Sequence, residues 1–203
     1  MRKCISIVIF LVVYVTIAHT SMVEKQKYRV VQSYDGFEIR YYPPATLATV
    51  YTSANSYREI ASPGFRTLAG YIFGGNASDT KISMTSPVHM DINDSMSAMS
   101  FVMPSKYELK DLPAPNNSKV VLGESKPEYV AALRFGGYAS DRAIRRNSEE
   151  LAARLEQAGI SYYGNFRYLG YNPPYQFIGR RNEIIVSVRW SEERDVNLSR
   201  EKE

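Results

Sequence analysis

Beyond its first twenty residues the chain holds one histidine, His89, and no cysteine. Imidazole is the side chain that titrates near neutrality and the commonest metal ligand, so His89 bounds most metal or acid–base chemistry available here. It follows Pro87 in a strand-like run, where a hydrogen-bonded or solvent-facing structural role is the simpler reading. Met84, Met90, Met96, Met99 and Met103 offer soft sulfur donors, but their strand alternation is that of core filling. Glu183 opens an apolar strand directly after Arg180 and Arg181. A desolvated carboxylate there would have a raised pKa suited to proton transfer. The plainer alternative pairs it with Arg180 or Arg181 to hold the preceding loop. That loop, Pro173-Pro-Tyr-Gln-Phe-Ile178, places apolar side chains between polar neighbours, and exposed patches of this kind usually contact something.

Other chemistries are excluded by what the sequence lacks. It has no G-x-S-x-G elbow and no reactive thiol beside its histidine. It also has no phosphate-binding P-loop, no dinucleotide fingerprint and no His/carboxylate cluster at metal spacing. A catalytic role is therefore not expected. Its 203 residues, 44% hydrophobic and 23% charged, suit one domain with a real core. The formal net charge of +4 is dispersed, and pairs such as Arg145–Arg146 are too short to track a nucleic-acid backbone.

Arg2 and Lys3 precede an apolar run from Ile5 to Ala18, about 14 residues long. That length fits a signal-peptide core and falls short of the roughly 20 residues that span a bilayer. Residues 1–20 are thus expected to be removed, with cleavage after Ala18 or Thr20. An uncleaved anchor is the competing reading. Cleavage would take Cys4 away and leave a disulfide-free chain in the secretory pathway, extracellular or in an endomembrane lumen, with no membrane span. N-x-S sequons at Asn76, Asn93, Asn116 and Asn197 then predict exposed loops open to glycosylation.

The elements that must position these groups are repeated, with an offset of about 83 residues. A strand over Leu47–Tyr51 matches one over Tyr129–Phe135, and a helix follows each. Ser62 and Pro63 are read as N-cap and first residue of the first helix, with Phe65, Leu68, Ala69 and Ile72 on one face. Ser140 caps the second helix and Gly159 closes it. Short strands follow both, including an apolar one at residues 183–189 buried on both faces. The expected fold is α+β, a distorted and mostly antiparallel β-barrel of two β-α-β-β halves flanked by two helices. The halves span about residues 37–110 and 120–190, joined by the polar stretch Asp111–Lys119, with a charged tail at 191–203.

Phe37-Glu-Ile-Arg-Tyr-Tyr-Pro-Pro, Gly64-Phe-Arg-Thr-Leu and Lys81-Ile-Ser-Met-Thr-Ser-Pro-Val stand in the first half. Arg134-Phe-Gly-Gly-Tyr, Gly170-Tyr-Asn-Pro-Pro and Gly179-Arg-Arg-Asn-Glu-Ile stand in the second. In this order, over residues 28–190, they resemble the signatures of the SOUL/haem-binding protein family in a secreted, plant-like form. The resemblance implies reversible binding of haem or protoporphyrin between the first helix and the loop before the last strand. Phe65, Leu68, Ala69 and Ile72 would form one wall. Pro173, Pro174, Tyr175, Phe177 and Ile178 would form the lip, and Arg180 and Arg181 would meet the propionates. Some members carry a histidine where this chain has Tyr41, which makes Tyr41, beside His89, a weak candidate iron ligand. Gly70 and Gln176 stand where members often carry basic residues. Binding or slow conversion of another flat apolar metabolite, or a protein-interaction role with the proline-rich loop as its contact, are the alternative functions.

Overall fold

The computed structural model describes residues 23–190. The expected leader, with Cys4 and His19, the tail and Asn197 lie outside that range. Two helices, α1 (Tyr57–Ile72) and α2 (Asp141–Gln157), pack on a nine-stranded antiparallel sheet. Its strands run β2 (Arg29–Tyr34), β3 (Phe37–Tyr42), β9 (Glu128–Phe135), β11 (Asn182–Val188), β10 (Tyr162–Gly170), β6 (Val88–Asp91), β7 (Ser97–Val102), β4 (Thr46–Thr52) and β8 (Val120–Glu124). A separate parallel pair joins β1 (Glu24–Lys25) to β5 (Thr85–Ser86).

The duplication is visible in the strand order. Trio β9-β11-β10 mirrors trio β4-β7-β6, and the two meet at the β6–β10 ladder. The outer strands are exchanged. β3, which precedes β4 in the chain, pairs with β9 of the second half, whereas β8, which precedes β9, pairs with β4 of the first.

Local sequence explains the helices, with one correction. α1 begins six residues before the expected Ser62–Pro63 start. Ser56 is the cap, its hydroxyl accepting the Glu59 amide at 3.3 Å, and Pro63 lies inside the helix. Ser56-x-x-Glu59 is an N-terminal capping pattern, and it outweighs the single helical hydrogen bond that Pro63 cannot donate. α2 is capped by Ser140, which accepts from the Ala143 amide, and Gly159 at φ 64° follows its end. Ile60, Leu68, Tyr71 and Ile72 of α1, and Leu151 and Leu155 of α2, are buried against Ile39, Met99, Phe101, Leu133, Ile184 and Val186.

The other face of the sheet holds a smaller apolar cluster of Tyr42, Val130, Ala132, Leu169 and Ile185. Strand alternation therefore buries β11 on both sides, and every residue from Asn182 to Val186 is inaccessible. Met90, Met99 and Met103 fill the main core, while Met96 is exposed.

Candidate functional site

The β10–β11 connection is an ordered lip. Arg180 folds back into it, donating from one terminal nitrogen to the carbonyls of Pro173 and Gln176, each at 2.8 Å. Its guanidinium also lies 4.5 Å from the Tyr138 ring centroid. Asn172 bridges the ends of the loop, donating to Gln176 Oε1 and accepting the Arg181 amide. Gln176 in turn donates to the carbonyl of Ile178. At the position where the family pattern often has a basic residue, this chain thus uses a neutral side chain as an internal tie. Polar groups turn inward and apolar ones outward: Tyr175, Phe177 and Ile178 are 76%, 77% and 87% exposed.

Sheet register places this lip beside α1. On the helix-bearing face Phe101, Val88, Gly170, Asn182 and Phe135 form one level across five strands. Phe65 of α1 packs edge-on over Phe101 at one end of that level, with ring centroids 5.2 Å apart. The loop leaves the sheet one residue after Gly170. Between them lies the ring of Tyr168, close enough to Gly170 that a Cβ there would sit 3.0 Å from the Tyr168 hydroxyl. Tyr168 donates to Asn182 at 2.7 Å and meets Tyr57, at the start of α1, edge to face. Phe65 and Ala69 are half-buried at the helix surface. Leu68 and Ile72 are sealed in the core, so only the rim of the expected helix wall can be touched. A cavity of about 390 Å³ opens on the far side of Tyr168, between Ile144 and Arg145 of α2 and Met90, Ile92 and Phe166 of the sheet.

The two arginines of the loop part company. Arg181 is bonded to Glu183 through two nitrogens, at 3.0 and 2.7 Å, and to the Tyr28 hydroxyl. Arg180 has no carboxylate partner among the described residues. Glu183 is wholly inaccessible and also receives Arg40 at 2.8 and 3.2 Å and the Tyr171 hydroxyl at 2.8 Å. Burial alone would raise its pKa, but the bonds and charge of Arg40, then Tyr171 and Arg181, hold it below the ordinary carboxylate range. Raised-pKa acid–base work by Glu183 is thereby contradicted. Its anchors are Arg40 and Arg181 rather than Arg180. Nothing in the sequence near Glu183 points to Arg40, 143 residues away. Beside this cluster the Tyr42 hydroxyl is buried without a partner, and burial pushes it up to about 12.

Neither weak iron-ligand candidate lies at the lip. His89 projects from the opposite face, with Nε2 2.7 Å from Gln26 Oε1. Burial, and then the charge of Arg167, lower its pKa from 6.5 to about 4. Tyr41 sits against the Tyr129 ring, six residues along β9 from Phe135, or roughly 20 Å at strand rise. Among the described residues no three His, Cys, Asp or Glu side chains converge as a metal site, and no helix is long and apolar enough to cross a membrane. The sequons also differ. Asn116 is exposed and Asn93 half-buried. Asn76 is only 1% exposed and donates to the carbonyls of Tyr71 and Thr80, although Ala77, Ser78 and Asp79 after it form the exposed loop expected there.

Comparison with known proteins fits this frame. The family model described as SOUL heme-binding protein matches residues 23–187, which include both helices, both halves of the sheet and the lip. The chain belongs to the SOUL family. Among curated members, heme-binding protein 2 of Mus musculus is 28% identical over 156 residues, 73% of this chain and 76% of that protein. Heme-binding protein 1 of Xenopus laevis is also 28% identical, over 73% of this chain and 81% of its own length. The SOUL fold extends further than the sequence likeness. The C-terminal domain of EcmrR superposes with a TM-score of 0.58 at 9% identity, over 81% of this chain and 99% of that one. A hydrolase from Listeria innocua gives 0.55 at 10% identity, over 83% and 94%. At such identities these two structures speak to architecture alone.

Proposed function

We propose that this SOUL protein reversibly binds haem or a related tetrapyrrole on the surface between α1 and the Asn172–Arg181 lip, as a non-catalytic carrier, buffer or scavenger in the secretory pathway. The observation that carries the reading is the lip itself: three apolar side chains more than three-quarters exposed, beside a guanidinium without a carboxylate partner. A porphyrin is a flat apolar disc with two carboxylates at one edge, and it needs an apolar wall and a cation at the rim. Ile178, Phe177 and Tyr175 supply the wall, Phe65 and Ala69 the facing edge, and Arg180 the propionate contact. Arg181 does not share that role, because Glu183 already holds it. Among the described residues no His, Cys or Met side chain is positioned at this lip, and on this reading binding rests on the porphyrin face and its carboxylates. The relatives named as heme-binding proteins support the ligand class.

Titration of purified protein with haemin and with metal-free protoporphyrin, followed by absorbance, tests the reading. Both should saturate with similar affinity. Ile178→Asp should weaken both by tenfold or more, whereas His89→Gln and Tyr41→Phe should change neither. Arg180→Gln should weaken protoporphyrin but leave its dimethyl ester unaffected. If neither porphyrin saturates at micromolar protein, or if Ile178→Asp binds as well as the parent, the site is not here. The cavity beside Tyr168 and another flat metabolite would then take precedence.

A further inference from the structure

Duplication gives the molecule a second cleft. As α1 stands beside the β10–β11 connection, so α2 stands beside the β6–β7 connection, but the two connections differ in length. The first, residues 171–181, builds the lip, whereas the second, residues 92–96, is less than half as long. Where that short turn meets α2 the sheet leaves the cavity of about 390 Å³, which lies within the range of about 300–1,000 Å³ usual for small-molecule pockets. Two features of β10 open it. Pairing with β6 ends at Arg167 opposite Asp91, and the register against β11 shifts between Tyr163 and Arg167, with Gly164 at φ 74°. A bulge of this kind bends its strand and re-aims side chains. Here Phe166 lines the cavity, with the Tyr162 ring 5.3 Å behind it.

The lining divides by polarity. Met90, Ile92, Ile144, Phe166 and Tyr168 make an apolar floor. Arg145 and Ser148, neighbours on one face of α2, stand over it, and neither side chain makes a hydrogen bond or ion pair among the described residues. Asp141, the one carboxylate among the lining residues, already accepts the Tyr57 amide through Oδ1. An aromatic floor beneath an unpaired guanidinium and hydroxyl suits a flat apolar body that carries one anionic group. Size selects further, since the space takes one or two fused rings and not the four of a porphyrin.

We infer that this cavity is a second ligand site, separate from the lip, for a small aromatic carboxylate of one or two rings, with the ring on Phe166 and Tyr168 and the carboxylate on Arg145 and Ser148. The second site does not depend on the porphyrin reading. The Tyr168 ring stands between the two, so each can be disabled alone.

The test is calorimetric titration of the full chain with 2-naphthoate and, for comparison, with the uncharged 2-naphthamide. Naphthoate should saturate one site per chain and bind about tenfold more tightly than the amide, the scale of one charge-assisted hydrogen bond. Arg145→Gln should remove that preference and leave the amide's affinity unchanged. Ser148→Phe, which puts a ring into the cavity, should weaken both by tenfold or more. Asp141→Asn should tighten naphthoate by about threefold, the effect of deleting one like charge a helical turn away in water. Arg145 is exposed and Ser148 half-buried, so both variants should keep the parent's urea midpoint, which separates loss of binding from loss of fold. Ile178→Asp should leave naphthoate binding intact, and haemin titration of Arg145→Gln should match the parent, so failure here is distinct from failure at the lip. The second site is overturned if naphthoate does not saturate at millimolar concentration, if the amide binds as tightly, or if Ile178→Asp removes naphthoate binding.

Discussion

Glu183→Gln is the substitution that most directly separates a structural from a chemical role for the carboxylate. The glutamate accepts five hydrogen bonds from Arg40, Arg181 and Tyr171 and has no accessible surface. An amide in its place keeps the shape but removes the charge. Arg40, 4% exposed, would then retain one carboxylate, the half-buried Glu38, beside the Tyr28 ring 4.2 Å away. Breaking one partner of a buried pair costs about 3–5 kcal/mol, because the other charge stays desolvated. For a chain of this size that corresponds to a fall in Tm of roughly 6–20 °C. Urea unfolding followed by circular dichroism gives the free energy directly. The double replacement Arg40→Met/Glu183→Met should be less harmful than the two single losses combined, since the buried Arg40 charge goes with its partner and only Arg181, whose side chain is 21% exposed, loses a carboxylate. A Glu183→Gln midpoint within about 1 kcal/mol of the parent would refute this reasoning. Full stability together with lost porphyrin binding would make Glu183 a ligand residue.

Three further outcomes are expected. His89 has a folded pKa near 4 against 6.5 unfolded, so the unfolded chain binds more protons between those values and stability falls as pH drops. Between pH 6.5 and 4.5 the parent should lose about 2–3 kcal/mol that His89→Gln retains, measured by urea midpoints; an identical pH slope in both would show that His89 protonates freely. Gly70 is exposed within α1, with nothing within 4 Å of an added Cβ, so Gly70→Ala should stabilise by about 1 kcal/mol, visible as a higher Tm. Mass spectrometry of folded protein from a glycosylating host should find no glycan at Asn76, whose amide is consumed by the Tyr71 and Thr80 carbonyls, although Asn116 is free to carry one.

The architecture was legible because its signals are local and were repeated. Alternation in β11, the Ser140 cap and Gly159 each declare their element within a few residues. The start of α1 was misplaced because Ser62–Pro63 is as good a cap pattern as Ser56-x-x-Glu59. Only packing distinguishes them, through Ile60 in the core and the Tyr57 ring against Tyr168. The lip was legible too, since Tyr175, Phe177 and Ile178 have no periodic partners with which to bury. What could not be read was the division of labour between Arg180 and Arg181. It depends on which side of β11 each emerges, and on Arg40, brought from β3 by sheet register alone. Likewise the single histidine drew attention by its chemistry, yet alternation in β6 puts it on the face away from α1.

The exchange of outer strands has a consequence for how this molecule can be made and broken. β3 is hydrogen-bonded to a strand about ninety residues downstream, and β8 to one about seventy-five residues upstream. Neither half owns a complete sheet, so a chain severed between residues 111 and 119 should yield two fragments that are each unfolded alone and recover structure only when mixed. Ring closure of such lengths must precede most of the stabilising contacts, which places folding among the slow, non-local topologies. A nascent chain could not settle its first half before the second had emerged, so the two halves stand or fall as one interlocked unit.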